Sequence, residues 1–335
     1  MSLAVKYRPK DFNEVMGQDL IKDIISNQIE NNDLSTGYLF SGGSGIGKTT
    51  IARILANKVN AEIIEIDGAS NNSVDDVRRI RDNVKYKSLN NEYKIYIIDE
   101  CHMLSKSAFN ALLKTLEEPP ANVIFILCTT EPEKIPPTIH TRVQQFEFKL
   151  VPINDVKERL QYIANKEHIA ISDEVLLYIA KISEGGMRNA ISILDKCRDL
   201  TNVDLEDVIE LSGGVNYESM MELLQHIINK DQSKVVGVIE KLHQDGKNLK
   251  LFIKKFTEFT VDLTKFAMKR DNDLIFNYIN IPINYKEQLN TLIDNLLESD
   301  LKLGSLFDKF NNIHNNIRYE KDPKLLIEGA LMLLC

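Results

Sequence analysis

The sequence predicts an α/β domain built on a parallel sheet, followed by two all-helical domains. Up to about residue 150, short apolar segments alternate with stretches of helical periodicity, which is typical of a parallel sheet covered by helices on both faces. After Val151-Pro152 the strand pattern ends, and residues 153–212 are predicted to form three or four short helices. Beyond a linker pattern at 211–214, helical periodicity continues with little proline or glycine. We therefore expect domains at residues 1–150, 151–212 and 215–335.

The composition restricts the class of protein. Of the 335 residues, 43% are hydrophobic and 27% are charged, as in soluble globular proteins. No apolar run reaches transmembrane length and the N-terminus lacks a signal-peptide pattern, so a cytoplasmic protein without a membrane partner is expected. The four cysteines form no C-x-x-C pair, which argues against zinc. The net charge of −8 excludes a uniformly basic surface but not a local basic patch.

The individual elements follow from apolar runs and from helix breakers. The predicted strands are Tyr38–Ser41, Ile63–Asp67, Lys94–Asp99, Val123–Thr129 and Gln144–Lys149. A helix beginning near Ser105 should end before Pro119-Pro120. In the next domain, Asn154 and Ser172 are predicted to cap helix N-termini, since their side chains can accept hydrogen bonds from free backbone N–H groups.

A phosphate-binding loop follows the first strand. Residues 42–49 match the pattern G-x-x-x-x-G-K-[ST] without a gap. Its glycines let the backbone aim N–H groups at phosphate oxygens, Lys48 can reach the β- and γ-phosphates, and Thr49 can ligate Mg²⁺. The helix that follows from Thr50 would place the phosphates at its N-terminus. The predicted nucleotide-binding residues here are Gly42, Gly43, Ser44, Gly45, Ile46, Gly47, Lys48, Thr49 and Thr50.

An acidic motif ends the third strand. Asp99 and Glu100 follow the apolar run from Ile95, and ligands bind at the carboxyl ends of parallel strands. We expect Asp99 to hold Mg²⁺ through its water shell and Glu100 to orient the attacking water. Residues 99–102 also spell the DExH box of a helicase superfamily. That alternative needs a second motor domain, for which residues after 150 give no α/β pattern. His102 is interpreted as structural, as a lone histidine usually is.

Four stretches together resemble one family. They are Lys6–Gln18, the phosphate loop, Ile97–Ser105 and Asn110–Pro120, the last being the most specific. The chain resembles the AAA+ clamp-loader ATPases and, within them, the bacterial DNA polymerase III gamma/tau subunits. The likeness covers residues 5 to about 200. It implies an AAA+ P-loop ATPase core, a helical lid and a helical collar that oligomerises.

The resemblance implies roles for further residues. Thr129 would be sensor 1, with Thr130 as the alternative, and Arg188 would be sensor 2 on the lid. Arg142 would be an arginine finger that reaches the ATP site of the adjacent subunit. The catalytic set would then be Lys48, Asp99, Glu100, Thr129, Arg142 and Arg188. The adenine pocket would be formed by Tyr7, Arg8, Pro9 and the stretch Val15, Met16, Gly17 and Gln18.

Two departures from the gamma/tau pattern are visible. Bacterial gamma/tau proteins carry a four-cysteine zinc module between the helix after the phosphate loop and the next strand. In this chain residues 58–64 connect the two directly, so no zinc is expected. Thr141-Arg142-Val143 stands where the family has Ser-Arg-Cys. These departures indicate a trimmed relative or kin of the replication factor C small subunits.

The resemblance also implies partners and an activity. ATP, Mg²⁺, a sliding clamp, primer-template DNA and other loader subunits in a pentameric ring are expected. Arg78, in a basic helix that continues to Lys85 and Lys87, and Lys106 are candidate DNA contacts; alternatively, the basic residues pair with neighbouring aspartates. The predicted function is an ATPase subunit that opens a clamp and places it on DNA. A DExH helicase and a non-hydrolysing scaffold subunit of a loader remain alternatives.

Overall fold

The computed structural model describes residues 1–84, 91–212, 216–317 and 320–333. The chain divides into two compact units, Met1–Asp199 and Leu200–Cys335. The first unit contains the sheet and the helices up to residue 196. The finer division at residues 150 and 212 stays a prediction.

The first unit is built on a five-stranded, entirely parallel sheet in the order β2-β3-β4-β1-β5. This confirms the predicted α/β class. The strands are β1 Gly37–Ser41, β2 Ala61–Asp67, β3 Tyr93–Asp99, β4 Val123–Thr129 and β5 Gln144–Glu147. The last strand is two residues shorter than predicted because its partner β1 turns into the phosphate loop after Ser41.

Helices cover both faces of this sheet. One face is covered by α2 Asp19–Glu30 and α3 Lys48–Lys58, and the other by α4 Val74–Val84, α5 Lys106–Glu117 and α6 Pro137–His140. The other helices of this unit pack against one another; they are α1 Leu3–Lys6, α7 Ile153–Glu167, α8 Asp173–Ile182 and α9 Met187–Lys196. Tyr38 and Phe40 of β1 face one apolar core and Leu39 faces the other, because side chains alternate across a strand. Burial on both faces explains why these strands read as continuous apolar runs.

The caps of the helices that follow the sheet agree only in part with the sequence prediction. Ser172 caps α8, since its side chain accepts a hydrogen bond from the Val175 N–H. Asn154 was predicted to cap α7, and this was wrong: the N-cap is Pro152 and Asn154 lies inside the first turn. Proline is tolerated there because the backbone N–H that it lacks would have no partner within the helix.

The second unit is helical throughout its described residues. Its helices are α10 Leu205–Leu211, α11 Tyr217–Ile228, α12 Gln232–Gln244, α13 Leu249–Met268, α14 Lys286–Glu298, α15 Leu303–Asn316 and α16 Pro323–Met332. The long helix α13 lies at the centre and packs on α15, where the Phe256 and Phe310 ring centroids are 4.4 Å apart. Among the described residues, none of the helices has the length and apolar character needed to cross a membrane.

Candidate nucleotide-binding site

The strand order brings the sequence motifs together. Strand β4 lies between β1 and β3, and Ser41 is in register with Thr129. The phosphate loop follows β1, Asp99 and Glu100 end β3, and Thr129 ends β4. All of them therefore lie at the carboxyl edge of the sheet, which is where ligands bind in parallel α/β domains.

The phosphate loop requires glycine at its first position. Gly42 has φ of 134°, and a Cβ there would lie 2.5 Å from the Phe148 carbonyl oxygen. No side chain fits in that space. The Gly42 N–H donates to the Thr129 carbonyl at 3.2 Å, which fixes the loop to the end of β4. The tight turn therefore follows directly from the glycine spacing in the sequence.

The Lys48 side chain lies along its own loop. Its ammonium donates to the carbonyls of Gly42 at 2.8 Å and Gly43 at 2.6 Å. The residue is only 6% exposed, and burial lowers its pKa, partly offset by the nearby acidic groups of Cys128, Glu100 and Asp99. A weakly hydrated cation beside free N–H groups is suited to phosphate.

Thr49 and Asp99 form the predicted metal pair. The Thr49 hydroxyl donates to Oδ2 of Asp99 at 2.9 Å, and Oδ1 of Asp99 accepts the Glu100 N–H at 3.0 Å. A hydroxyl and a carboxylate oxygen side by side are the hard ligands that Mg²⁺ binds, with water and phosphate completing the octahedron. The residues present therefore fit a magnesium-nucleotide complex.

A cleft opens at this edge of the sheet. Most predicted site residues line it: Tyr7, Arg8, Pro9, Val15, Met16, Ser44, Gly45, Ile46, Gly47, Lys48, Thr49, Thr50, Asp99, Glu100 and Arg188. Arg8, Lys48, Arg159 and Arg188 bring four cationic groups to it, which suits a polyphosphate. Four predicted nucleotide-binding residues, Gly17, Gln18, Gly42 and Gly43, do not line it; the carbonyls of Gly42 and Gly43 hold Lys48.

Sequence reasoning missed Arg159 and the apolar residues Ala4, Val151, Met187 and Ile191 that also line the cleft. Arg159 lies on α7, and its Nη2 donates to the Tyr7 carbonyl at 2.9 Å. Its guanidinium lies 5.2 Å from the Tyr162 ring centroid. In the sequence it is one charged residue of an amphipathic helix, so no local signal distinguishes it.

The N-terminal segment is attached to α7, the first helix of the region predicted to be the lid. Lys6 pairs with Glu167 at 2.6 Å, and the Tyr7 hydroxyl donates to the same carboxylate. The Tyr7 and Tyr162 rings meet edge to face at 6.3 Å. Burial, followed by the hydrogen bond to Glu167, raises the pKa of Tyr7 to about 12. The residues expected to contact adenine are thus positioned by the lid.

Arg188 closes the cleft from the lid side. It lies in the first turn of α9, and its N–H donates to the Gly45 carbonyl at 3.2 Å. Gly45 has φ of 71°, and a Cβ there would lie 3.0 Å from the Cβ of Arg188. The phosphate loop and the lid therefore touch directly at this point.

The two candidate sensor threonines have different partners. Thr129 is fully buried and does not line the cleft; its hydroxyl oxygen accepts the Glu131 N–H at 3.0 Å and lies 3.1 Å from Nδ1 of His102. Thr130 donates to Oε2 of Glu100 at 3.1 Å. The direct contact to Glu100 is therefore made by Thr130.

Arg142 lies away from the cleft of its own chain. Its guanidinium pairs with Glu117 at the end of α5, and its Nη1 donates to the Thr138 carbonyl at 2.6 Å. The side chain is 30% exposed. It is thus held near the surface, where a second molecule can reach it.

The candidate DNA residues lie on α4 and α5. Arg78, Arg79 and Arg81 pair with the neighbouring aspartates 75, 76 and 82 at 2.9, 3.8 and 3.3 Å. Lys106 is exposed at the first position of α5. A hydrogen bond from the Ser105 N–H to the Asn72 carbonyl, 3.1 Å, brings the starts of the two helices together. Lys85 and Lys87 lie outside the described residues.

Comparisons with known proteins give consistent results. A family model described as DNA polymerase III, delta subunit matches residues 60–152, and one described as RCF1/5-like, AAA+ ATPase lid domain matches residues 158–197. The gamma subunit of DNA polymerase III from Buchnera aphidicola subsp. Schizaphis graminum is 34% identical, over 85% of this chain and 85% of that protein. The tau subunit from Bacillus subtilis is 33% identical, over 98% of this chain.

The chain spans 62% of the Bacillus subtilis tau subunit and 42% of the Escherichia coli one, to which it is 36% identical. Among solved structures, the Thermotoga maritima RuvB Holliday junction branch migration motor superposes with a TM-score of 0.52 at 22% identity, over 66% of this chain and 79% of that one. This likeness concerns the fold alone.

Proposed function

The chain belongs to the family of DNA polymerase III gamma and tau subunits, which are AAA+ clamp-loader proteins, and on this premise we propose that it is an ATPase subunit of a sliding-clamp loader. Its ATP would bind in the cleft between the sheet edge and the lid. ATP binding would assemble the ring of subunits and open the clamp. Hydrolysis, triggered by primer-template DNA, would release the closed clamp on the DNA.

One observation carries this proposal: the groups proposed to bind phosphate, to hold Mg²⁺ and to orient the attacking water line one cleft, and the proposed arginine finger does not. Lys48, the Thr49–Asp99 pair and Glu100 lie within one chain, whereas Arg142 does not line that chain's cleft. A site completed by a neighbour's arginine links hydrolysis to assembly. This arrangement suits an ATPase that acts in a ring.

Each residue of the site would have its own role in ATP hydrolysis. Lys48 would exchange its two loop carbonyls for β- and γ-phosphate oxygens. Glu100 would orient the attacking water in line with the γ-phosphate. Mg²⁺, held through Thr49 and Asp99, would neutralise charge on the phosphate oxygens. Arg188 would contact the phosphates from the lid.

DNA would be held at the starts of α4 and α5. Free N–H groups at helix N-termini bind phosphate, and these two starts lie together through Ser105 and Asn72. The ion pairs of Arg78, Arg79 and Arg81 lie on the surface and contribute only about 0–1 kcal/mol each. Such arginines can exchange an aspartate for a DNA phosphate, as can Lys106, so binding would depend on backbone charge and not on sequence.

The remaining partners follow from the family. We infer that they are the sliding clamp and the other loader subunits of a pentameric ring, with residues 215–335 as the collar. A helicase is disfavoured, because the second unit contains only helices among its described residues and supplies no second motor. A scaffold subunit is disfavoured by the complete set of Lys48, Thr49, Asp99 and Glu100.

The decisive experiment measures ATP hydrolysis by the assembled loader with and without clamp and primed DNA. We expect Arg142→Ala to lower the stimulated rate by about 10³-fold, the usual contribution of an arginine finger, while ATP binding by the isolated chain stays unchanged. Arg198→Ala is the matched control, because Arg198 is an exposed arginine paired with Asp195 and Asp199.

Each alternative has its own outcome in this experiment. Full stimulated activity of Arg142→Ala would show that Arg142 is not the finger. Negligible turnover by the wild type with clamp and DNA would establish a scaffold subunit. Strand separation without any clamp would favour the helicase.

A further inference from the structure

His102 lies beside the carboxylate of Glu100, which is the group proposed to orient the attacking water. It lies in a short 3-10 turn, Cys101–Met103, directly after Asp99 and Glu100. The side chain is 7% exposed, and the residue does not line the cleft. Nδ1 is 3.1 Å from the Thr129 hydroxyl and 3.4 Å from Oε2 of Glu100, while Nε2 is 3.1 Å from Oε1 of Glu131. Both ring nitrogens therefore have partners.

The groups around the ring identify Nε2 as a donor. Nε2 faces the Glu131 carboxylate at 3.1 Å, and Lys134 holds that carboxylate at 2.6 Å. Nδ1 lies 3.1 Å from the Thr129 hydroxyl, whose oxygen also accepts the Glu131 N–H at 3.0 Å. A hydroxyl can donate or accept, so Thr129 is a partner for Nδ1 whether or not Nδ1 carries a proton.

This arrangement restricts the Glu100 side chain. Nδ1 is 3.4 Å from Oε2 of Glu100, so the buried ring limits the movement of the carboxylate on that side. On its other side Oε2 accepts the Thr130 hydroxyl at 3.1 Å. The carboxylate is therefore held between the ring and Thr130, at the wall of the cleft that Glu100 lines.

The backbone of Glu100 adds to the restriction. Its φ is 45° and its ψ is 44°, the left-handed conformation that residues with a Cβ seldom adopt. Such a conformation persists only where surrounding contacts impose it. The short turn Cys101–Met103 and the buried ring of His102 supply those contacts directly after Glu100.

We propose that His102 is a positioning residue that sets the direction of the Glu100 carboxylate and connects it to Thr129 at the end of β4. The inference rests on the proposed function, because it takes Glu100 as the group that orients the attacking water. Through this ring a shift of Thr129 or of the loop at Glu131 reaches Glu100. Thr129 thus acts on hydrolysis through His102, without touching the nucleotide.

Three substitutions separate positioning from packing. His102→Leu keeps most of the volume and removes both ring nitrogens. Asparagine carries a polar group near the place of Nδ1, and glutamine carries one near the place of Nε2. His102→Asn thus keeps a partner for Thr129, and His102→Gln keeps a partner for Glu131. His243→Leu is the control, since His243 is exposed on α12.

The readouts are the kcat and KM of the loader stimulated by clamp and primed DNA, the ATP Kd of the isolated chain, and its Tm. We expect His102→Leu to lower kcat about 10- to 100-fold, the effect of a small misplacement of a catalytic group, with KM and Kd unchanged. His102→Asn should recover most of kcat and His102→Gln little. His243→Leu should match the wild type.

Three results would overturn the inference. One is a wild-type kcat in both His102→Leu and His102→Gln. The second is a loss of kcat in His102→Asn as large as in His102→Leu. The third is a parallel loss of Tm and ATP binding in all three variants, which would indicate packing alone.

A further variant separates this inference from the proposed function. If Glu100→Gln abolishes stimulated hydrolysis and His102→Leu does not affect it, only the positioning role is wrong. If Glu100→Gln retains the wild-type rate, the role of Glu100 and the proposed mechanism are both wrong.

Discussion

Lys48 shows how a single residue prepares the site for its ligand. Its ammonium is buried and hydrogen-bonded to the carbonyls of Gly42 and Gly43. Carbonyl dipoles stabilise the charge less well than water does, so burial lowers the pKa of Lys48. Phosphate oxygens would restore a full opposite charge, and the affinity for ATP should therefore depend on the protonation of this group.

The pH dependence of ATP binding tests this point. Only the protonated ammonium attracts phosphate, so affinity should fall as pH rises through the lowered pKa of Lys48, at a pH below the ordinary lysine value of 10.5. Folding stability has the opposite sign, because the cost of the buried charge is relieved over the same range. Titration calorimetry between about pH 7 and 10 would measure the affinity.

Lys48→Arg provides the comparison, because arginine stays protonated across that range. Its affinity should be lower at neutral pH but nearly constant with pH. A wild-type affinity that is equally constant up to pH 10 would contradict the role assigned to Lys48.

At the scale of single elements, the phosphate loop depends on one glycine both for its backbone conformation and for the absence of a side chain. Gly42 has a positive φ and its missing side chain leaves room for the Phe148 carbonyl. We expect Gly42→Ala to destabilise the protein by about 1–3 kcal/mol and to abolish ATP binding, because the carbonyls that hold Lys48 would move. Chemical denaturation and ATP titration would measure the two effects.

Gly237→Ala is the matched control for this prediction. Gly237 lies inside α12, and a Cβ there would meet nothing within 4 Å. Alanine is the better helix former, so the variant should be more stable by about 0.5–1 kcal/mol. Equal effects of the two substitutions would show that the close approach at Gly42 is unimportant.

The individual elements also show how much of the structure could be predicted from the sequence. The strands and the phosphate loop were predictable because apolar runs and glycine spacing are local signals. The length of β5 depended on where its partner β1 ends, and the cap of α7 on a proline that the prediction passed over. Arg159 reaches the cleft only because α7 packs over the N-terminal segment. The role of His102 also depends on tertiary structure, because its partners Thr129 and Glu131 lie in a segment distant from it in the sequence.

At the scale of the whole molecule, every residue that lines the cleft belongs to the unit Met1–Asp199. This unit has its own apolar cores on both faces of the sheet. We therefore expect a fragment of residues 1–199 to fold and to bind ATP with a Kd within about threefold of that of the full chain, since distant sites contribute independently. Circular dichroism and ATP titration would check this.

The same fragment should lack hydrolysis stimulated by clamp and DNA, since we assign assembly to the helical unit Leu200–Cys335. Failure of the fragment to bind ATP would show that the second unit contributes to the site. Stimulated hydrolysis by the fragment would show that the collar is not needed for assembly.

The contact between Gly45 and Arg188 has a practical consequence. The phosphate loop meets the lid so closely that a Cβ at residue 45 would lie 3.0 Å from the Cβ of Arg188, and one of the two would have to shift. An alanine at residue 45 would push the phosphate loop and the lid apart. A chain held open in this way would be a tool for trapping the loader after ATP has bound and before the lid closes.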